Sequence, residues 1–154
     1  MQNTPNSGEF DALHNALLNI VGAFNRPQRD EVLIKQAGIP LDRALFPLLV
    51  SIDRFGPVGV VELADRVGRD YTTVSRQVAK LVELGLAVRQ KGQKDKRVHE
   101  AVISPQGKKM TDRVDAARNR LYQQVFSDWQ AADRAELTRL VERFAQAFSG
   151  REED

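Results

Sequence analysis

The chain has 154 residues, 42% hydrophobic and 29% charged, with 23 Lys+Arg against 21 Asp+Glu, two His and no Cys. One domain is the expectation for that length, with roughly 70% of the unfolded surface buried, and the composition excludes a disordered or fibrous chain. The missing cysteines exclude a disulfide framework, thiolate catalysis, thiol redox sensing and Cys-ligated zinc.

No run reaches the ~18 apolar residues of a membrane span. Met1–Asn15 lacks the basic and apolar blocks of a secretory signal, so a cytoplasmic protein is expected. The net charge of +2 is unevenly spread. Arg69 to Arg97 holds eight basic and three acidic residues, a local +5, against −3 for the remainder. One basic segment on a near-neutral chain points to an anionic partner for that segment.

Phe10, Leu13, Leu17, Ile20, Val21 and Phe24 recur at helical spacing and predict a first helix over 9–25. Pro27 suits the first turn of a short second helix carrying Val32 and Leu33, stopped by Gly38. A third helix over 41–55 shows Leu45, Leu48, Leu49 and Ile52; Pro47 implies that it either kinks or begins later. Val60–Val67 reads as a one-faced helix stopped by Gly68. Asp70 is a candidate N-cap for the next helix, Tyr71–Leu84. On it Val74, Val78, Leu81 and Gly85 share the inward arc, Thr72, Arg76 and Lys80 point outward, and Thr73 and Gln77 flank them.

Beyond Gly85 the period changes. Leu86–Lys91 and Val98–Ile103 are β-prone runs joined by the basic tip Gly92–Arg97, a hairpin. Ser104-Pro105 opens a long helix with Met110, Val114, Ala117, Leu121 and Val125 as its apolar stripe. A last helix over 131–148 carries Leu137, Leu140, Val141, Phe144 and Phe148, and residues 150–154 form a tail expected to fray. The expected fold class is mainly α with a small β-hairpin wing. Two short helices joined by a tight turn and followed by a hairpin make a winged helix-turn-helix over 41–104, flanked by helices over 9–39 and 105–149.

The basic segment coincides with the second of those short helices and the hairpin. An α-helix fits the DNA major groove, where Arg can donate two bonds to guanine. A basic hairpin tip can follow phosphates or enter a narrow minor groove.

The stretch Val61-Glu62-Leu63-Ala64, the run Thr73-Val74-Ser75-Arg76, Leu84-Gly85-Leu86, Asp95-Lys96-Arg97 and Ile103-Ser104-Pro105-Gln106-Gly107 together resemble the MarR family of bacterial transcriptional regulators. That family more often has Leu-Thr where this chain has Ile103-Ser104, and Pro47 in the third helix is less usual there. The resemblance implies that Thr72, Thr73, Ser75, Arg76 and Gln77 face the major groove, with Tyr71 and Lys80 beside them. It implies that Arg97 enters the minor groove, that Asp95 holds the wing, and that Lys94 and Lys96 meet phosphates. Terminal helices would interlock two copies into a homodimer reading a pseudo-palindrome.

A repressor released by a small aromatic or phenolic effector is the family's pattern, and His14, Arg43, Phe46 and Trp129 are the candidate lining. His14 has a plainer reading as a half-buried histidine, and Trp129 as a plug between the last two helices. No cofactor or metal is expected: the two histidines lie in different elements. The competing class is a winged helix that docks on protein without touching DNA. An enzyme is not expected, since the sequence holds no phosphate-binding glycine loop, nucleophile elbow or metal triad.

Overall fold

Prolines, glycines and short polar side chains set most of the element ends. The computed structural model describes residues 8–150. The tail expected at 150–154 and the reading of residues 1–15 therefore fall partly outside the described residues. Helix α1 spans Glu9–Phe24 and α2 spans Pro27–Ala37, with Gly38 closing the latter. Helix α3 runs Phe46–Phe55, so it begins later than the expected Leu41 and does not kink. Asp42 is the cause. Its Oδ1 accepts from the Ala44 N–H at 2.8 Å and its carbonyl from the Leu45 N–H at 3.0 Å, closing a turn before the helix. Pro47 then lies in the first helical turn, where a missing N–H costs nothing.

Helices α4 (Val60–Val67) and α5 (Tyr71–Glu83) form the expected helix-turn-helix. Gly68 ends α4 with φ +66°, a left-handed conformation that disfavours any side chain. Asp70 caps α5, its carboxylate accepting from the Thr73 N–H at 2.9 Å and the Thr73 hydroxyl at 2.6 Å. Such caps contribute about 1 kcal/mol. Val74, Val78 and Leu81 are buried as expected. Gly85 is not on their face: α5 stops at Glu83, and Gly85 lies in the exposed turn beyond it.

The sheet has three antiparallel strands in the order β1-β3-β2. Strands β2 (Ala87–Lys91) and β3 (His99–Ile103) are the predicted hairpin, in register Ala87↔Ile103 and Lys91↔His99. Strand β1, Val58–Gly59, adds an edge through Val58↔Ala101. Two residues leave no alternation to read, so the sequence offered no sign of it.

Helix α6 runs Pro105–Val125. The Ser104 hydroxyl accepts from the Gly107 N–H at 3.0 Å and donates to the Gly85 carbonyl at 2.6 Å, tying the exit of α5 to the start of α6. The buried face of α6 is Gly107, Thr111, Val114 and Ala117. The expected stripe holds only in part. Met110 and Leu121 are half-buried and Val125 is exposed; Leu121 and Val125 lie beyond Ala117, where the first unit ends. Helix α7 spans Ala131–Ser149.

The chain forms two compact units, one ending at Ala117 and the other starting at Arg118. In the first, Leu48, Leu49 and Ile52 of α3, Val58 of β1, Leu63 of α4 and Val74, Val78 and Leu81 of α5 are fully buried. This core lies directly under the helix-turn-helix and fixes which side of α5 faces out. Neither α1 nor α7 buries a residue. On α1, Phe10, Leu13, Ile20, Val21 and Phe24 are exposed. On α7, Phe144 and Phe148 pack on each other at 5.3 Å but stay exposed, so they are not core.

Candidate nucleic-acid interface

Because Val74, Val78 and Leu81 point into the core, the opposite face of α5 is fixed by helical geometry. Thr72, Arg76 and Lys80 are exposed there, Tyr71 is exposed at the helix N-terminus, and Thr73, Ser75 and Gln77 are half-buried along the flanks. Lys80 pairs with Glu83 at 3.6 Å, a solvent-exposed i,i+3 pair of small energetic weight. The Thr73 hydroxyl and amide hold the Asp70 carboxyl below its ordinary range, and the charge of Arg76 adds to this. Asp70 is therefore ionised at neutral pH, where a cap at a helix N-terminus is most effective.

One residue of this face carried no signal as a site. Arg69, half-buried in the turn before α5, donates from Nη1 to the Ala44 carbonyl at 2.6 Å and to Gln77 Oε1 at 2.9 Å. Its partners lie 25 and 8 residues away, across a turn, so no periodic pattern links them. Only its charge placed it in the basic segment.

The wing is closed by the Gly92 N–H donating to the Val98 carbonyl at 2.8 Å. Asp95 organises its tip. Its carboxylate accepts from the Arg97 backbone N–H at 3.0 Å, from Nε at 3.1 Å and from Nη2 at 3.3 Å. The Arg97 side chain nevertheless remains 91% exposed. Asp95 thus orients Arg97 while leaving it presented to solvent. These bonds hold the Asp95 carboxyl below its ordinary value. A depressed carboxylate stabilises the fold above its ordinary pKa, and that contribution is lost only as pH falls through the lowered one. The wing tip is therefore fully held across the neutral range. Lys94 and Lys96 are exposed on either side of Asp95. A groove of about 940 Å³ brings Tyr71 together with Lys94 and Asp95 of the wing, above Pro57, Gly59 and Val61.

Of the residues expected around an effector, the structure joins two. Arg43 and Phe46 line a cleft of about 740 Å³ with Phe24, Asp30, Arg66 and Arg69. Arg43 pairs with Glu31 at 2.7 Å. Burial raises the Asp30 carboxyl above its ordinary value, against the opposing charges of Arg29, Arg43 and Arg69. His14 is exposed on α1, not half-buried. Trp129 belongs to the second unit, where it packs edge-on against Phe126 at 4.9 Å in the turn between α6 and α7. It remains 42% exposed. Among the described residues, no group of His, Asp or Glu gathers as a metal site, and no helix is long and apolar enough to cross a membrane.

Residues 43–101, the helix-turn-helix and wing, match a family described as HVO_A0114. The chain is 32% identical over 108 residues to an uncharacterized HTH-type transcriptional regulator, YxaD, of Bacillus subtilis (strain 168), covering 70% of this chain and 76% of that protein. The chain belongs to the HTH-type transcriptional regulators. The regulator also has the MarR fold. It superposes on a MarR family protein from Bacillus stearothermophilus with a TM-score of 0.76 at 18% identity, over 95% of this chain and 99% of that one. A MarR transcriptional regulator from Methanosarcina mazei Go1 gives 0.62 at 24% identity, over 85% and 96%. The regulator is therefore a DNA-binding transcription factor, and its relatives are regulators, not enzymes.

Proposed function

We propose that the regulator acts in the cytoplasm as a homodimeric repressor that reads a pseudo-palindromic operator and is released by a small-molecule effector. The observation that carries this reading is the outer face of α5, rigidly backed by core side chains, beside a wing arginine presented by Asp95. In this reading α5 enters the major groove. Arg76 donates to guanine, Thr72, Thr73, Ser75 and Gln77 contact bases or phosphates, and Tyr71 and Lys80 lie against the backbone. Arg97 enters the adjacent minor groove, where the negative potential is concentrated, and Lys94 and Lys96 neutralise phosphates.

Residues 41–104 form the reading head, and 9–39 with 105–149 supply the dimer. The exposed apolar faces of α1 and of α7 support this, each in its own unit. The cleft at Arg43 and Phe46, where three arginines face two aspartates beside Phe24 and Phe46, supports an aromatic or phenolic anion as effector.

Selection from random duplex DNA at moderate salt tests the reading. The expected outcome is a pseudo-palindrome with half-site centres about 34–36 Å apart, one helical turn. Failure to enrich any site favours a protein-docking winged helix. Arg76→Ala is expected to relax preference at one position of each half-site, at a cost of about 1–3 kcal/mol; an unchanged sequence logo removes Arg76 as a base reader. Arg97→Ala is expected to weaken binding to every sequence and to lower the log–log salt slope by about 0.9. Titrations of wild type and variant across salt concentrations read this directly, and identical curves mean that Arg97 stays off DNA.

A further inference from the structure

Gln77 sits on the flank of the α5 reading face, and its side-chain oxygen is already engaged. Arg69 Nη1 donates to Gln77 Oε1 at 2.9 Å and to the Ala44 carbonyl at 2.6 Å. A guanidinium carries only donors, so the amide atom facing it must be the oxygen, and the NH2 must face away. Two acceptors hold the same nitrogen. The Ala44 carbonyl belongs to the turn that Asp42 closes before α3, where the Ala44 N–H donates to Asp42 Oδ1 at 2.8 Å. Arg69 is thus tethered to a fixed point of the first unit, and Gln77 is tethered through it.

We infer that Arg69 is a positioning residue for base selection, turning the Gln77 carbonyl toward itself so that Gln77 presents its NH2 donor to DNA. This rests on the reading that α5 occupies the major groove. A free glutamine pairs with adenine in two ways at once, its oxygen accepting from N6 and its nitrogen donating to N7. A glutamine whose oxygen is drawn toward Arg69 keeps a second lone pair there but no longer presents oxygen and nitrogen side by side to one base edge, so the paired contact to adenine is lost. What remains suits an acceptor-only edge, guanine through O6 and N7 or thymine through O4, with no premium for adenine. Arg69 would thereby set specificity without touching a base. Releasing it leaves the carbonyl unpaired and free to seek the adenine amino group.

The experiment is selection from random duplex DNA at moderate salt with wild type, Arg69→Ala, Gln77→Ala and the double variant. Gln77→Ala is expected to flatten one position in each half-site, a position that carries guanine or thymine in the wild-type logo. Arg69→Ala is expected to raise the adenine-to-guanine ratio at that same position on the order of tenfold, since a second base contact is gained. The double variant should match Gln77→Ala alone.

A merely structural role for Arg69 predicts lower affinity with an unaltered logo, and that result overturns the inference. So does the same shift in the Gln77→Ala background. Gln77→Glu provides a second test that keeps Arg69 in place should Arg69→Ala melt early. One carboxylate oxygen stays on the guanidinium and the other is an acceptor, so the position should turn from guanine and thymine toward the amino-bearing bases cytosine and adenine. A Gln77→Glu logo that keeps guanine or thymine overturns the inference. If Arg76→Ala alters its own position while neither Gln77 variant alters any, DNA reading by α5 stands and the role of Arg69 falls. If wild type enriches no site, both fall.

Discussion

The variant Leu140→Glu/Phe144→Glu is expected to run as a monomer and to lose about a hundredfold in operator affinity. Both side chains are exposed on α7, at 46% and 39%, and neither is part of the core of the first unit. Charging them therefore leaves the reading head folded. In the proposed dimer each added carboxylate would meet its own copy or an apolar neighbour across the two-fold axis, so the penalty of desolvation and like-charge repulsion would fall on both protomers. Coupling two half-site contacts through one rigid dimer raises affinity by ~10²–10⁴ over a single head, and that gain disappears with the dimer. Sedimentation equilibrium and a gel-shift titration measure the two effects on one sample. A variant that stays dimeric with wild-type affinity removes α7 from the interface. A variant that is monomeric yet binds the full operator undiminished removes the need for a dimer.

Gly107→Ala is expected to destabilise the first unit by about 1–3 kcal/mol, a fall in Tm of roughly 5–10 °C. Helix propensity alone argues the other way, since alanine is favoured over glycine by about 1 kcal/mol inside a helix. Packing decides the sign. A Cβ at Gly107 would run into the Leu86 carbonyl oxygen and the Ile103 Cδ1. The Leu86 carbonyl is also the acceptor for the Ser104 N–H at 3.1 Å, so moving it breaks the bond that seats α6 against the wing. The Ser104 hydroxyl bridge to Gly85 and Gly107 would shift with it. Thermal unfolding followed by circular dichroism reads the difference. An unchanged or higher Tm would show that the Leu86 backbone yields at little cost.

These two positions mark how far local rules carry. The apolar stripe of α7 was legible because helical periodicity needs only neighbours three and four residues away. That it lies exposed in a single chain was not legible, because the stripe of a core helix reads the same. Gly107 was visible only as one residue of a family pattern. The carbonyl that forbids a side chain there belongs to a residue beyond the wing. Pro47 left two geometries open for α3, and the Asp42 turn decided for the later start. Gly85 was placed on the inner arc of α5 by extending the helical period too far; the helix ends at Glu83.

The candidate interface divides in the same manner. Asp70 as cap, Gly68 as stop, Arg76 facing out and Asp95 holding Arg97 all involve partners within a few residues, and the structure has each of them. Of the expected effector set, Arg43 and Phe46 share a cleft of the first unit that His14 does not line, and Trp129 belongs to the second unit. Cavity lining depends on side chains from several elements, and a list of aromatic and basic residues carries no information on that convergence.

The order and type of the helices, the hairpin, the basic segment and the orientation of α5 were legible from the residues alone, since capping and periodicity act over a turn or two of chain. Tertiary structure alone decided the edge strand β1, the close approach at Gly107, the cleft beside α3 and the link from Ala44 through Arg69 to Gln77. Each of these joins groups far apart along the chain, and only packing of the core fixes their distance.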